Sequence, residues 1–340
     1  MIKNQILKIE KLDFMWGTEN PFLFCAHHKD AYPKGNDELG PPNSDLLGRN
    51  IGNDFQIKDG WRMYHGKKIP GFPNHPHRGF ETVTIVLEGF VDHSDSHGAS
   101  GRYGDGDVQW MTAGSGLQHA EMFPLIYKDK DNPLHLFQVW LNLPKKDKFT
   151  DPHYKMLWAE DIPVIEEVDS NGRESSVRLI AGKYNDIRAL GPAPASWASD
   201  ENNNVNIWII KMKPDAIFEI PASSSTITRN LYYYDGETIK IHDTEIDSSN
   251  RIKLLGDERI VIRNGDRESH LFLLEGEPID EPVVTYGPFV MNTMEEIKEA
   301  YEDYKETGFG GWPWDRTDPV HSSEEIRFAK YSDGTIERRL

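Results

Sequence analysis

From about residue 20 to residue 290 the chain keeps returning to one pattern: short runs rich in Val, Ile, Thr and aromatic residues, each ended by a cluster of Gly, Pro, Asn or Asp. Runs of this length and composition read as strands joined by tight turns, and helical periodicity is scarce among them. The clearest are Phe80–Glu88, Val108–Thr112, Leu134–Leu143, Ile207–Met212, Asn230–Tyr234, Ile260–Arg263 and Leu271–Leu274. At 340 residues the chain exceeds the roughly 250–300 at which a single core stops growing, so two cores are expected. With 37% hydrophobic and 11% aromatic residues there is enough bulky apolar material to fill both. The expected fold is all-β, two barrels of jelly-roll type in tandem.

The prolines and charges of residues 144–153 interrupt the strand pattern where a first domain of ordinary size would finish. The expected division is 1–145, 154–308 and a tail, 309–340. Loops are expected at Gly191–Pro194 and Asp200–Asn204. One short helix is expected near the end. Asn292 and Glu295 stand at capping-box spacing, Met294, Ile297, Tyr301 and Tyr304 follow at helical spacing, and Gly308 is available to end it. The tail opens Gly310-Gly311-Trp312-Pro313-Trp314, and its two tryptophans point to docking rather than free disorder.

A formal net charge of -18 opposes direct contact with a phosphate backbone, which argues against nucleic-acid binding. The single cysteine, Cys25, excludes an intramolecular disulfide framework and any multi-cysteine metal site. The opening ten residues carry charges where a secretory apolar region would sit, and no stretch approaches the ~18 apolar residues of a membrane span. A cytoplasmic protein without membrane contact is expected.

The chemistry concentrates in two pairs. Side chains alternate across a strand, so His75 and His77 share a face, which in unbroken register is also that of Val83, Ile85 and Leu87. His119 and Glu121, again two apart, share another. A lone His-x-His is often only a pair of surface residues. Two such pairs on facing strands supply three nitrogens and a carboxylate oxygen, and leave one or two positions open on a five- or six-coordinate ion. His27, His28, His65, His93, His97, His242 and His270 lack a paired context and read as surface, turn or polar-network residues.

Three blocks of residues resemble the pirin family, whose members are bicupins with a metal in the N-terminal barrel. The first runs His75-Pro76-His77-Arg78-Gly79-Phe80-Glu81-Thr82-Val83-Thr84 through Leu87-Glu88-Gly89. The second is Gly106-Asp107-Val108-Gln109-Trp110-Met111-Thr112-Ala113-Gly114 with His119-Ala120-Glu121-Met122, and the third spans Gly276–Pro278, Glu281–Val284 and Tyr286–Asn292. The resemblance implies that His75, His77, His119 and Glu121 hold the metal and that the second barrel carries no equivalent set. Glu81 competes with Glu121, because it stands four after His77, the spacing at which many cupins supply a carboxylate ligand. Its other reading is a partner that holds a ligand histidine or Arg78. Generic cupin motifs differ in having one residue fewer between Glu81 and Gly89 and a proline where Thr112 stands.

What the resemblance implies for function is a quercetin 2,3-dioxygenase-like oxidoreductase acting on a small flavonol-type aromatic substrate and dioxygen. One divalent metal is expected, Fe(II) in first place, with Zn, Mn, Ni, Co and Cu as alternatives. Glu121 would double as the catalytic base, and Phe80, Trp110 and Met122 would shape a substrate pocket or else pack the core. The rival reading is a metal-dependent regulatory protein that binds a transcription or metabolic protein partner. Zinc in a closed site, or a hydrolase or isomerase on the same scaffold, are further alternatives. A monomer is favoured.

Overall fold

The computed structural model describes residues 5–339, so the first four residues of the charged opening and Leu340 lie outside it. Strands dominate, and among the described residues the one α-helix is Met294–Thr307. The strands foreseen from sequence are all present with ends shifted by no more than two residues, for example Asn132–Asn142, Asn206–Met212, Thr228–Asp235 and Ser269–Gly276.

The chain forms two compact units, and their division is not linear. One comprises His27–Gln138, Leu143–Ala159 and Glu281–Leu340; the other comprises the chain up to Ala26, Val139–Asn142 and Glu160–Asp280. A cut between 145 and 154 misses this because strand pairing, not chain proximity, decides membership. Strand Ile6–Lys11 pairs antiparallel with Asn250–Leu254, and strand Arg327–Lys330 pairs with Ser100–Gly104.

The second unit has a seven-stranded sheet in the order Ile6–Lys11, Asn250–Leu254, Thr228–Asp235, Ser269–Gly276, Asn206–Met212, Glu174–Ala181, Val164–Val168. A four-stranded sheet accompanies it, Ile217–Ile220, Ile260–Asn264, Thr238–Ile241, Thr244–Asp247. Its core takes alternate residues of these strands, such as Trp208, Ile210 and Met212 beside Leu231, Tyr233, Leu271 and Leu273.

The first unit carries both histidine pairs. One of its sheets runs His153–Leu157, Val108–Thr112, Phe80–Glu88, and then the parts of strands Asn132–Asn142 and Phe22–Tyr32 that belong to this unit. The other runs Ile336–Arg339, Arg327–Lys330, Ser100–Gly104, Phe90–Asp95, Leu117–Met122, Gly71–His77. The register through residues 75–87 is therefore broken: Gly71–His77 and Phe80–Glu88 belong to different sheets, and Leu87 is only half-buried. The turn between them rests on Gly79, whose φ of 85° lies in the region that disfavours a Cβ. The buried Lys148 amine donates to the carbonyls of Gly79 (2.8 Å) and Val290 (3.0 Å), and burial pulls its pKa down to about 8.

The helix starts one residue later than expected. The Asn292 amide is committed to the Glu281 carboxylate and the Pro282 carbonyl, so Thr293 becomes the cap and Glu296, not Glu295, completes the capping box. Gly308 ends the helix in a left-handed conformation. Ile297 and Ala300 face Phe289, Met291 and Phe309, whereas Met294 and Tyr301 are exposed. The tail docks by pairing Arg327–Lys330 into the sheet and by a hydrogen bond from the Trp314 indole to the Asp95 carbonyl (2.8 Å).

A Cβ on Gly79 would lie 2.0 Å from the Val290 carbonyl oxygen, which the Lys148 amine also holds. Gly79→Ala is therefore expected to destabilise the protein by roughly 1–3 kcal/mol, read as a lower denaturant midpoint with an unchanged slope.

Candidate metal centre

His75 and His119 come together because their strands pair antiparallel with these two residues directly opposite each other. A register shift between Phe72 and His75 re-aims the end of the Gly71–His77 strand, and His77 follows on the same face. The ring centroids of the three histidines are 4.5 Å (His75 and His119), 4.8 Å (His75 and His77) and 4.9 Å (His77 and His119) apart. One nitrogen from each lies within 4.8 Å of the others.

His75 Nδ1 donates to the Pro73 carbonyl (2.9 Å) and His77 Nδ1 to the Pro288 carbonyl (3.3 Å), which orients each ring and leaves Nε2 with its lone pair. Neither ring nitrogen of His119 has a hydrogen-bond partner, although the side chain has no exposure to solvent. An unpartnered buried imidazole is costly, and a cation shared by the three rings relieves that cost. Burial pulls the pKa of His75 down to about 4 and those of His77 and His119 well below the usual imidazole value. All three are thus neutral at physiological pH, the state in which imidazole binds a metal. The donor set fits a borderline divalent ion such as zinc, iron, nickel or copper.

Glu121 lies beside this trio. Its Oε2 is 3.7 Å from His119 Nε2. Gln138 Nε2, from the opposite sheet, donates to both carboxylate oxygens (3.0 and 2.8 Å), and the Thr84 hydroxyl donates to Oε1 (3.2 Å). Burial raises the pKa of Glu121, with the bonds from Gln138 and Thr84 acting in the opposite direction.

The other residues singled out from sequence sit elsewhere. Glu81 is fully buried in the opposite sheet and accepts from the Thr112 hydroxyl (2.7 Å); it is not part of the trio. Arg78 points away, donating to the Ser115 carbonyl (2.6 Å) and the Asp303 carboxylate (2.7 Å), with its guanidinium carbon 4.5 Å from the centroid of the Phe309 ring. Phe80 packs edge-on against His77 at 5.0 Å. It is fully buried, as are Trp110 and Met122, so these three contribute packing surface in this conformation.

Three neighbours of the trio escaped the sequence reading. Of the surface, turn or polar-network readings expected for it, His93 takes the last: it is fully buried, pairs across strands with Glu121, and its ring lies 5.6 Å from His119. It stacks on Tyr154 (4.9 Å, 13°) and meets Asp95 Oδ2 at 3.3 Å. His93-x-Asp95 is a further pair two apart on one strand, so the parity argument applied to His119 and Glu121 finds it too. Thr84 and Gln138 give no such signal, because a single hydroxyl or amide in an apolar run has many uses.

The chain matches the pirin family model over residues 47–141 and the pirin C-terminal cupin domain over residues 207–310. A Pseudomonas aeruginosa protein named "putative quercetin 2,3-dioxygenase" is 37% identical over 241 residues, 70% of this chain and 79% of the relative. Human pirin is 35% identical over 250 residues, 71% of this chain and 79% of its own length. A crystal structure titled quercetin 2,3-dioxygenase, from Acinetobacter baumannii, superposes with a TM-score of 0.69 at 27% identity, covering 90% of this chain and 98% of that one. The two matched domains, the level of identity and the shared fold place the chain in the pirin family of two-domain cupin proteins.

Proposed function

We propose that the chain is a metal-dependent dioxygenase for a flavonol-type aromatic substrate, with one Fe(II) held by His75, His77 and His119 and joined by Glu121. The observation that carries this reading is the buried His119 ring, whose two nitrogens lack partners at the point where His75 and His77 also present a nitrogen. The substrate class rests on the names of the Pseudomonas relative and the Acinetobacter structure. When bound, a redox-capable ion with open positions would bring the substrate oxygen and dioxygen side by side.

The protein's own groups have separate tasks. The Pro73 and Pro288 carbonyls keep His75 and His77 in the tautomer whose Nε2 faces the centre. Glu121 takes the proton of the substrate hydroxyl, and its buried surroundings make it a stronger base than an exposed carboxylate. Gln138 and Thr84 hold that carboxylate in place across the barrel. In the overall reaction both atoms of dioxygen enter the product, and one ring carbon leaves as carbon monoxide.

Glu121→Ala is expected to lower turnover by ~10²-fold or more while the three histidines still retain metal, as for loss of a general base. Substrate consumption and metal content measured on the same sample check this, and undiminished turnover removes Glu121 from the proposed role.

The proposal as a whole is tested by quercetin turnover in air, followed by absorbance loss and carbon monoxide release on protein of known iron content. The double variant His75→Ala, His119→Ala serves as control and is expected to lose both metal and turnover. No turnover by fully iron-loaded protein would overturn the dioxygenase reading.

A further inference from the structure

Residues 311–339 lie beyond the matched C-terminal domain, which ends at 310. Their contacts with the rest of the unit fall repeatedly on the strands of the histidine cluster. Gln118 Nε2 donates to the carbonyls of Gly308 (2.6 Å) and Gly311 (3.2 Å). The Trp314 indole donates to the Asp95 carbonyl (2.8 Å), the Asn74 backbone N–H donates to the Thr317 carbonyl (2.7 Å), and His321 Nε2 donates to the His93 carbonyl (3.0 Å). Asn74 immediately precedes His75, and Gln118 immediately precedes His119. Asp95 and His93 are the cross-strand partners of His119 and Glu121.

The sheet has a specific need at this place. Gly71–His77 is its edge strand, and pairing with Leu117–Met122 is interrupted between Phe72 and His75. The Asn74 backbone N–H falls within that interruption, and Thr317 supplies its acceptor. The far end of the segment is anchored independently. Arg102, fully buried, pairs with Asp92 through two bonds (2.6 and 2.7 Å) and donates to the carbonyls of His321, Ser322 and Glu325, each at 2.9 Å. Asp92 also accepts the His321 amide (2.8 Å), and Arg327–Lys330 then joins the sheet beside Ser100–Gly104.

We propose that residues 311–339 form a strap, hung on the Arg102–Asp92 pair, that positions the His75 and His119 strands for metal binding through Gly311, Trp314, Thr317 and His321. The inference rests on the metal-centre reading above and goes beyond it, assigning Trp314 and His321 as positioning residues that touch neither metal nor substrate. An edge strand left free to shift would let the His75 ring leave the position opposite His119, and metal would escape faster.

The test compares the full-length chain with Trp314→Ala, His321→Ala, using Leu134→Ala as a control for lost stability in the same unit away from the cluster. Each protein is loaded with Ni(II), release to excess chelator is timed, and hydrogen exchange is followed at residues 72–75 together with the thermal midpoint. The double variant is expected to release Ni(II) ~10-fold faster and to lose protection at residues 72–75, the scale of effect seen when groups supporting metal ligands are removed. Leu134→Ala is expected to leave the release rate within ~2-fold at an equal or larger loss of midpoint, since its cost is a core cavity.

Unchanged release and protection in a folded double variant would overturn the strap, and so would release rates that simply follow thermal stability in both variants. If the double variant does not fold, Trp314→Phe, which removes the indole N–H and keeps an aromatic ring, carries the comparison, with a smaller rise in release rate expected and no rise counting against the strap. If the intact chain binds no Ni(II), the metal reading fails, and the exchange data alone decide whether the segment holds the Asn74 edge.

Discussion

The organising constraint in the first unit is the placement of neutral imidazoles in a largely buried position. His119 has no solvent exposure and no hydrogen-bond partner, and its position is dictated by the cross-strand register that sets it opposite His75. A shift of one residue in that register would turn every side chain of the strand to the other face and dissolve the cluster. Much of the surrounding structure bears on that register: the broken edge at Phe72–His75, the turn at Gly79, the Lys148 amine across two carbonyls, and the Pro288 carbonyl behind His77.

The electrostatics of the site follow from the same burial. Desolvation lowers the affinity of the histidines for protons and raises that of Glu121. A carboxylate and three imidazoles are thereby brought together without ionic pairing among them. The carboxylate is steadied instead by an amide and a hydroxyl from the facing sheet. These donors favour the ionised form and so oppose the effect of burial.

Much of this was legible in the sequence because parity is a local property. His75 and His77, and likewise His119 and Glu121, sit two apart, and alternation alone assigns each pair to one face. The strands themselves were legible from β-branched runs between turn residues. What local reasoning could not supply was non-local. The break at Gly79 that sends the two halves of the His75–Glu88 segment into different sheets depends on a carbonyl at Val290. Asn292 looked like a cap, and its amide is drawn off by Glu281 and Pro282, leaving the role to Thr293. Gln138 meets Glu121 only because two sheets face each other, and nothing at positions 84 or 138 announces it. The compact units differ from the linear division for the same reason, since strands Ile6–Lys11 and Arg327–Lys330 pair with strands far away in sequence.

That exchange of ends has a consequence for how the protein is made. The barrel with the histidine cluster is encoded mostly in the first half of the chain, yet its sheet is extended by strands Arg327–Lys330 and Ile336–Arg339, and its buried Arg102 finds three of its acceptors at residues 321–325. The unit built from Ile6–Lys11 and the strands up to Ser269–Gly276 has all of its sheet synthesised first. On a ribosome, the unit without the histidine cluster therefore has its strands available first, and the metal centre reaches final form only after the strands beyond residue 327 have emerged.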